Sequence, residues 1–150
     1  MATGGQLKRF LVGFDGSREA KQAVELAIDL ATRLDAKITL FSVLPDTSHL
    51  ETVEARERAD EGARDQLDAQ LTSARVHAAA AGVPLADVVV VVGGDPAETI
   101  AHHASEHGFD LVVIGSHGRE RTTHGGLGRV VERLLREPHC PVLVAPDRAS

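Results

Sequence analysis

The residues of this chain best suited to chemistry are glycines that lie between an apolar run and a helical pattern. Gly115, Gly118 and Gly128 are separated by two and nine residues, and they follow the apolar residues 111–114. Glycine lets the backbone come close to a ligand. The free N–H groups at a helix start, together with the helix dipole, form an anion site. The pattern therefore predicts that this loop holds a phosphate-bearing ligand, a nucleotide.

Asp15 is a second candidate, because it follows the apolar residues 8–14 and precedes Gly16 and Ser17. In one interpretation its carboxylate accepts hydrogen bonds from the ribose hydroxyls of the nucleotide. In the other it is a turn or cap residue, since Asp is favoured in turns. Beside the glycine pattern, the ribose interpretation is the favoured one.

Two better-known phosphate motifs and one catalytic pair are not supported by the spacing. The glycines lack the Gly-Lys-Ser/Thr of a Walker A loop, and they do not form the Gly-x-Gly-x-x-Gly dinucleotide fingerprint. Ser116 and His117 could pair as nucleophile and base. However, adjacent residues rarely face each other, and no third group that would orient the base can be identified. No catalytic residue is therefore predicted.

Metal binding is the remaining chemistry to consider. His103 and His107 lie four residues apart on a predicted helix, a spacing that can present two imidazoles to a metal ion. No third ligand has a suitable spacing, so an exposed polar face is the preferred interpretation and no metal site is predicted. Cys140 precedes a strand and is interpreted as a buried thiol.

Strand-like and helix-like patterns alternate along the chain. Asp-Gly-Ser after the first strand, Pro45, Gly82 and Gly108 mark the turns between them. For residues 52–60, at the start of the second helix, loop and helix both remain open. The predicted strands are residues 8–14, 37–44, 85–92, 109–114 and 141–145; the predicted helices follow the Ser17 cap up to Leu34, cover 50–81, run from Pro96 to Gly108, and start at Gly128.

This order predicts an α/β fold with a mostly parallel sheet covered by helices on both faces. Folds of this kind bind ligands at the carboxyl ends of the strands. The loops expected at that edge, residues 13–17, 43–47 and 115–128, carry the glycines and polar residues described above.

Composition narrows the class of protein further. The chain has 150 residues, a net charge of -6 and one cysteine. We expect one domain at 8–146 between a flexible stretch 1–7 and a tail 147–150. The acidic balance argues against broad nucleic-acid binding. The longest apolar run, 88–92, is too short to span a bilayer. One cysteine and no signal-like N-terminus indicate a cytoplasmic protein.

Four segments together resemble the universal stress protein family: residues 10–17, 94–98, 110–119 and 140–144. The resemblance extends from Lys8 to Pro146. It implies a three-layer α/β/α, Rossmann-like fold of the adenine nucleotide alpha hydrolase type, with a five-stranded parallel sheet of order 3-2-1-4-5. In that order the first and fourth strands flank the switch point, so Asp15 and Gly115 are expected at one crevice.

The resemblance also implies roles for individual residues. ATP, or ADP, AMP or cyclic AMP, would be the ligand, and Mg²⁺ could accompany it. The implied contacts are Asp15 with the ribose, backbone at Val43 with the adenine edge, Gly13, Phe14 and Ile114 around the base, Gly115 against the ribose, and Gly118, Arg119, Gly128, Arg129 and Val130 with the phosphates.

Arg129 departs from the family pattern, which has a small hydroxyl residue after the last glycine. Its guanidinium either pairs with phosphate oxygens or fills the phosphate site and weakens or abolishes binding. Retained phosphate binding is the favoured outcome, because the backbone N–H groups are present whichever side chain occupies position 129. The predicted function is a nucleotide-binding sensor or regulator of the stress response. The alternatives are a non-binding member that acts through protein contacts, or a slow ATP hydrolase.

A homodimer is expected through the strand at residues 141–145, since a short apolar edge strand is a pairing surface. Members of the universal stress protein family commonly form dimers through this strand. The sequence does not identify the preferred nucleotide or the regulatory protein partner.

Overall fold

The computed structural model describes residues 6–83, 85–116, 128–136 and 140–146, and shows five strands in one parallel sheet. The elements, in chain order, are β1 (Arg9–Gly13), α1 (Arg18–Leu34), β2 (Lys37–Leu44), α2 (Val53–Ala80), β3 (Leu85–Val92), α3 (Pro96–Glu106), β4 (Leu111–Gly115), α4 (Arg129–Arg136) and β5 (Val142–Ala145). The strand order is β3-β2-β1-β4-β5, as predicted.

The sheet separates two layers of helices, which confirms the three-layer prediction. Successive side chains of a strand point to opposite faces. In β1, Phe10 and Val12 therefore pack with the buried residues of α1 and α2. Leu11, between them, packs with the buried residues of α3 and α4. Both faces are covered, which is why β1 reads as a continuous apolar run.

Local capping residues set where the helices begin. Ser17 Oγ accepts a hydrogen bond from Ala20 N at 3.1 Å at the start of α1. Thr52 Oγ1 does the same for Ala55 N at 3.0 Å at the start of α2. Residues 53–60 are therefore helical, and the loop interpretation of that stretch is wrong. A side-chain cap satisfies an orphan N–H of the first turn, which stabilises a helix that has little apolar surface.

The carboxylate of Asp110 aligns β1 with β4. Its Oδ2 accepts hydrogen bonds from Lys8 N at 3.0 Å and from Arg9 N at 2.9 Å. Arg9 O in turn accepts from Asp110 N at 2.9 Å. These hydrogen bonds fix the register of β1 and β4 at the amino ends of the two strands. Their carboxyl ends, between which the order of strands in the sheet changes direction, are therefore held side by side.

No helix within residues 6–83, 85–116, 128–136 and 140–146 is long and apolar enough to cross a membrane.

Candidate functional site

The floor of the candidate site is formed where β1 and β4 end side by side. Gly13 lies on the face of the sheet that α3 and α4 cover. A Cβ added to it would lie 3.5 Å from Cδ1 of Ile114 and 3.5 Å from Cδ1 of Ile100. Gly13 and Ile114 are thus brought together, as the base-pocket interpretation requires. Ile100 of α3 joins them, through a contact that no local sequence pattern predicts.

Val43 of β2 lies on the same face of the sheet as Ile114. It is half-buried, packs with the residues beneath α3 and α4, and pairs with Val91 of β3. The three candidates for the base pocket other than Phe14 therefore share one face.

Phe14 is placed differently from those candidates. Its side chain is buried on the opposite face, in the core beneath α1 and α2. Its N–H donates to Phe41 O at 2.8 Å, and its carbonyl accepts from Ser42 Oγ at 2.7 Å. The ring therefore does not face Gly13 and Ile114, and Phe14 supports the loop that follows it. Ser42, a buried hydroxyl, was not identified from the sequence because nothing local marks its partner.

Asp15 forms a tight turn between β1 and α1. Its Oδ1 accepts a hydrogen bond from Ser17 N at 2.9 Å, and the residue is half-buried. The turn role is thus observed. It is compatible with ribose contacts, because an ionised carboxylate has about four acceptor positions.

Gln70 of α2 lies over this turn. Its Nε2 donates to Gly16 O at 3.2 Å. Gly16 has φ +80, and a Cβ there would lie 2.0 Å from Gln70 Oε1. Glycine is therefore favoured at this position by the backbone conformation, whereas the Gln70 amide is the end of a flexible side chain and can rotate away from an added Cβ. No local pattern pointed to this contact, since Gln70 belongs to a polar stretch of α2.

Gly115 ends β4 against the first turn of α1. A Cβ at this position would lie 2.7 Å from the backbone O of Glu19. The side-chain-free backbone of Gly115 is therefore needed for packing irrespective of any ligand. The same packing brings the end of β4 to the helix start that follows Asp15.

The two described ends of the glycine-rich loop are joined by a hydrogen bond. Gly128 N donates to Ser116 O at 2.8 Å, and Gly128 O accepts from Glu132 N at 3.0 Å in the first turn of α4. The N–H of Gly128 therefore closes the loop, and the N–H groups of Arg129 and Val130 are the next ones at the helix start. Gly118 and Arg119, also predicted to contact the phosphates, lie outside the described residues.

Two arginines lie one turn apart on α4 and differ in their surroundings. Arg133 donates to Glu98 Oε1 at 2.9 Å and lies 3.5 Å from Asp95 Oδ2, which ties α4 to the first turn of α3. Arg129 is exposed and has no ion pair with any described residue. Its guanidinium is therefore not buried in a preformed hollow.

Of the two histidines predicted to form an exposed polar face, His107 is exposed, but His103 is not. The His103 ring is half-buried, with its centroid 5.0 Å from that of Phe41, 5.6 Å from Phe109 and 4.3 Å from His107. Burial lowers the pKa of His103 below its ordinary value, and the charge of His107 lowers it further. His102 is exposed, and its Nε2 lies 2.9 Å from Glu106 Oε2.

The other candidate groups do not contribute to this crevice. Cys140 is half-buried, and burial raises the pKa of its thiol. Across the described ranges no three His, Cys, Asp or Glu side chains are grouped so as to hold a metal ion. A groove of about 560 Å³ lies between α3 and α4, but none of the predicted site residues lines it.

Comparison with known proteins identifies similar chains. The model of the universal stress protein family matches residues 6–146. Universal stress protein YxiE of Bacillus subtilis is 28% identical over 145 residues, which cover 91% of this chain and 97% of that protein.

Two solved structures are similar over nearly the whole chain. A protein of the universal stress protein family from Burkholderia pseudomallei is 31% identical, with a TM-score of 0.69 and coverage of 97% of this chain and 100% of that one. A universal stress protein in complex with cAMP is 25% identical, with a TM-score of 0.70 and coverage of 93% and 97%.

Proposed function

The chain belongs to the universal stress protein family, and from this premise we propose that it binds an adenine nucleotide at the carboxyl ends of β1 and β4 and acts as a regulator of the stress response. The observation that carries the proposal is the hydrogen bond from Gly128 N to Ser116 O at 2.8 Å. It holds the start of α4 beside the end of β4, where a helix dipole and unpaired N–H groups favour an anion.

The base and ribose would lie between this helix start and β2. Gly13 leaves space above β1 because it has no side chain, and Ile114 and Val43 provide apolar surface on the same face. Backbone at Val43 would contact the adenine edge. Asp15 would accept hydrogen bonds from the ribose, whereas Gly115 would lie against it. A similar protein, the one in complex with cAMP, binds a ligand of this chemical class.

The phosphates would lie at the first turn of α4. Arg129 would add a cation there, because its side chain is exposed and unpaired among the described residues. A guanidinium can bind phosphate oxygens in a bidentate manner. This favours ATP, with its longer phosphate chain, over ADP, AMP and cyclic AMP. Gly118 and Arg119 would complete the phosphate site.

Mg²⁺ would be bound mainly by the nucleotide. The described residues supply no group of three His, Cys, Asp or Glu side chains around one point. Phosphate oxygens would therefore provide the ligands that Mg²⁺ requires. The proposal does not depend on the metal ion, and no catalytic role is assigned to any residue.

The protein would act in the cytoplasm as a homodimer. β5, residues Val142–Ala145, lies at one end of the sheet and would pair with its copy in a second protomer. The bound nucleotide would then alter what a partner protein contacts. The alternative is a member that binds no nucleotide and acts through protein contacts alone; the presence of Arg129 where the family has a small hydroxyl residue favours it. Slow ATP hydrolysis is the third possibility.

Calorimetric titration of nucleotide-free protein with ATP, ADP, AMP and cyclic AMP tests the proposal. We expect saturable binding, tightest for ATP. Absence of heat at millimolar concentrations of every nucleotide would refute it.

The variant Arg129→Ser separates the two main alternatives. If Arg129 contacts the phosphates, this substitution weakens ATP binding more than adenosine binding. If instead Arg129→Ser creates ATP binding that the natural chain lacks, the natural chain belongs to the non-binding class. Steady phosphate release well above the background rate, lost on substitution of His117, would favour the hydrolase.

A further inference from the structure

We propose that the outer edge of β3 is a self-association surface, on which β3 of a second copy of this chain pairs in antiparallel orientation about Val91. β3 is the strand at the opposite end of the sheet from β5, and its described strand partner is β2. Residues 88–92 are five consecutive valines without a charge. An uncharged, β-branched edge strand is a template for pairing with another chain.

The hydrogen bonds of the neighbouring residues identify the backbone groups that point outward. Gly93 N donates to Leu44 O at 2.8 Å, so residue 93 faces β2. The backbone groups of successive residues in a strand point in opposite lateral directions. The backbone N–H and C=O of Val91 therefore also point towards β2. Those of Val90 and Val92 point away from β2, out of the edge of the sheet. These two are also the most exposed of the five valines, at 37% and 56%.

The start of the same edge is blocked. Val88 would be the next outward-facing residue, but its N–H is bound by Oδ1 of Asp87 at 2.8 Å. A side chain that satisfies an edge donor removes it from pairing. The opposite limit is the turn at Gly93, which has φ +77. The available edge therefore consists of the outward-facing groups of Val90 and Val92.

A second copy matches this edge because the arrangement is symmetric. A two-fold axis at Val91 places Val90 of one protomer opposite Val92 of the other. Both residues face outward, so each of the two equivalent pairs exchanges two N–H···O bonds. Side chains directly opposite in an antiparallel pair are about 5 Å apart. Each exposed valine would thus be covered by its counterpart, while Asp87 keeps its bond to Val88.

The expected strength of this pairing follows from its size. A contact made of a few hydrogen bonds and two valine pairs buries far less surface than the roughly 1,000 Å² of a stable interface. The association is therefore reversible and requires high protein concentration. Combined with pairing at β5, two different two-fold contacts would join copies into an open chain rather than a closed dimer.

Cysteine cross-linking tests the register. In a Cys140→Ser background, which removes the one natural cysteine, Val91→Cys places two thiols at a pair whose Cα atoms are about 4.5 Å apart, within disulfide range. Val89→Cys is the matched control, since its two copies would be about 13 Å apart along the strands. Under mild oxidation at high protein concentration we expect a covalent dimer from the Val91→Cys protein and little from the control.

A charge substitution tests the surface without a cross-link. Val92→Lys places a cation on the edge, and Val76→Lys places the same cation on α2 at a valine that is also exposed, at 66%. Sedimentation equilibrium should show weaker association for Val92→Lys and no change for Val76→Lys. Circular dichroism verifies that both variants are folded.

The outcomes are separable from those of β5 pairing and of nucleotide binding. β3 and β5 are at opposite ends of the sheet, so a β5 dimer does not bring the two copies of residue 91 together. A cross-link that forms equally at residues 89 and 91, or at neither, would overturn the proposal. Equal effects of the two lysine substitutions would also overturn it.

Discussion

The replacement Gly115→Ala should destabilise the protein, because β4 ends in contact with the backbone of α1. The added Cβ would lie 2.7 Å from Glu19 O and 2.9 Å from Glu19 Cβ, closer than real Cβ atoms approach. A backbone atom cannot rotate away, so the strand and the helix must separate. Overpacking of this kind costs typically about 1–3 kcal/mol, and for a chain of this length 1 kcal/mol lowers Tm by about 2–4 °C.

The matched control is Gly62→Ala on α2. Gly62 is exposed, and a Cβ there would meet nothing within 4 Å. Alanine in a helix interior is favoured over glycine by about 1 kcal/mol. The two glycine-to-alanine changes are therefore expected to shift stability in opposite directions, by roughly 2–4 kcal/mol relative to each other.

Urea unfolding followed by circular dichroism measures both free energies. We expect a lower midpoint for Gly115→Ala and a higher one for Gly62→Ala, with similar denaturant slopes. If Gly115→Ala were as stable as the natural protein, Gly115 would not be needed for packing against α1. Contact with a bound ligand would then be the remaining reason for a glycine at this position.

Three further predictions concern a buried hydroxyl, a histidine and the arginine at α4. Ser42→Ala leaves the Phe14 carbonyl without its hydrogen bond, and unfolding should become easier by about 1–3 kcal/mol in urea titrations; an unchanged midpoint would contradict this role. Burial lowers the pKa of His103 below 6.5, so His103 binds a proton more readily in the unfolded chain than in the folded one. The free energy of unfolding should therefore be highest above about pH 6.5 and should fall as the pH decreases. Unfolding at several pH values should show that His103→Gln flattens this dependence, and an unaltered dependence would be inconsistent with it. Arg129→Ala should raise the Kd for ATP more than that for adenosine in calorimetry, with equal changes counting against a phosphate contact.

The order of elements and the family could be predicted from the sequence, because their signals are local. An apolar run of five to eight residues, or a hydroxyl or carboxylate that caps a first turn, is encoded within a few neighbouring positions, as at Ser17. The parallel sheet follows from the alternation of such elements. Residues 52–60, by contrast, lie in a charged, Ala-rich stretch with little periodic signal, so their sequence is compatible with both loop and helix.

The site was predicted less completely, because its contacts join distant segments. The face on which Phe14 lies, the packing of Gly115 against Glu19, and the bond between Ser116 and Gly128 all depend on how separate elements meet. The burial of His103 on α3 likewise depends on Phe41 of β2. The sequence by itself therefore determined which elements form, whereas the tertiary structure decided which side chains face the crevice, since burial and close packing exist only between elements that have assembled.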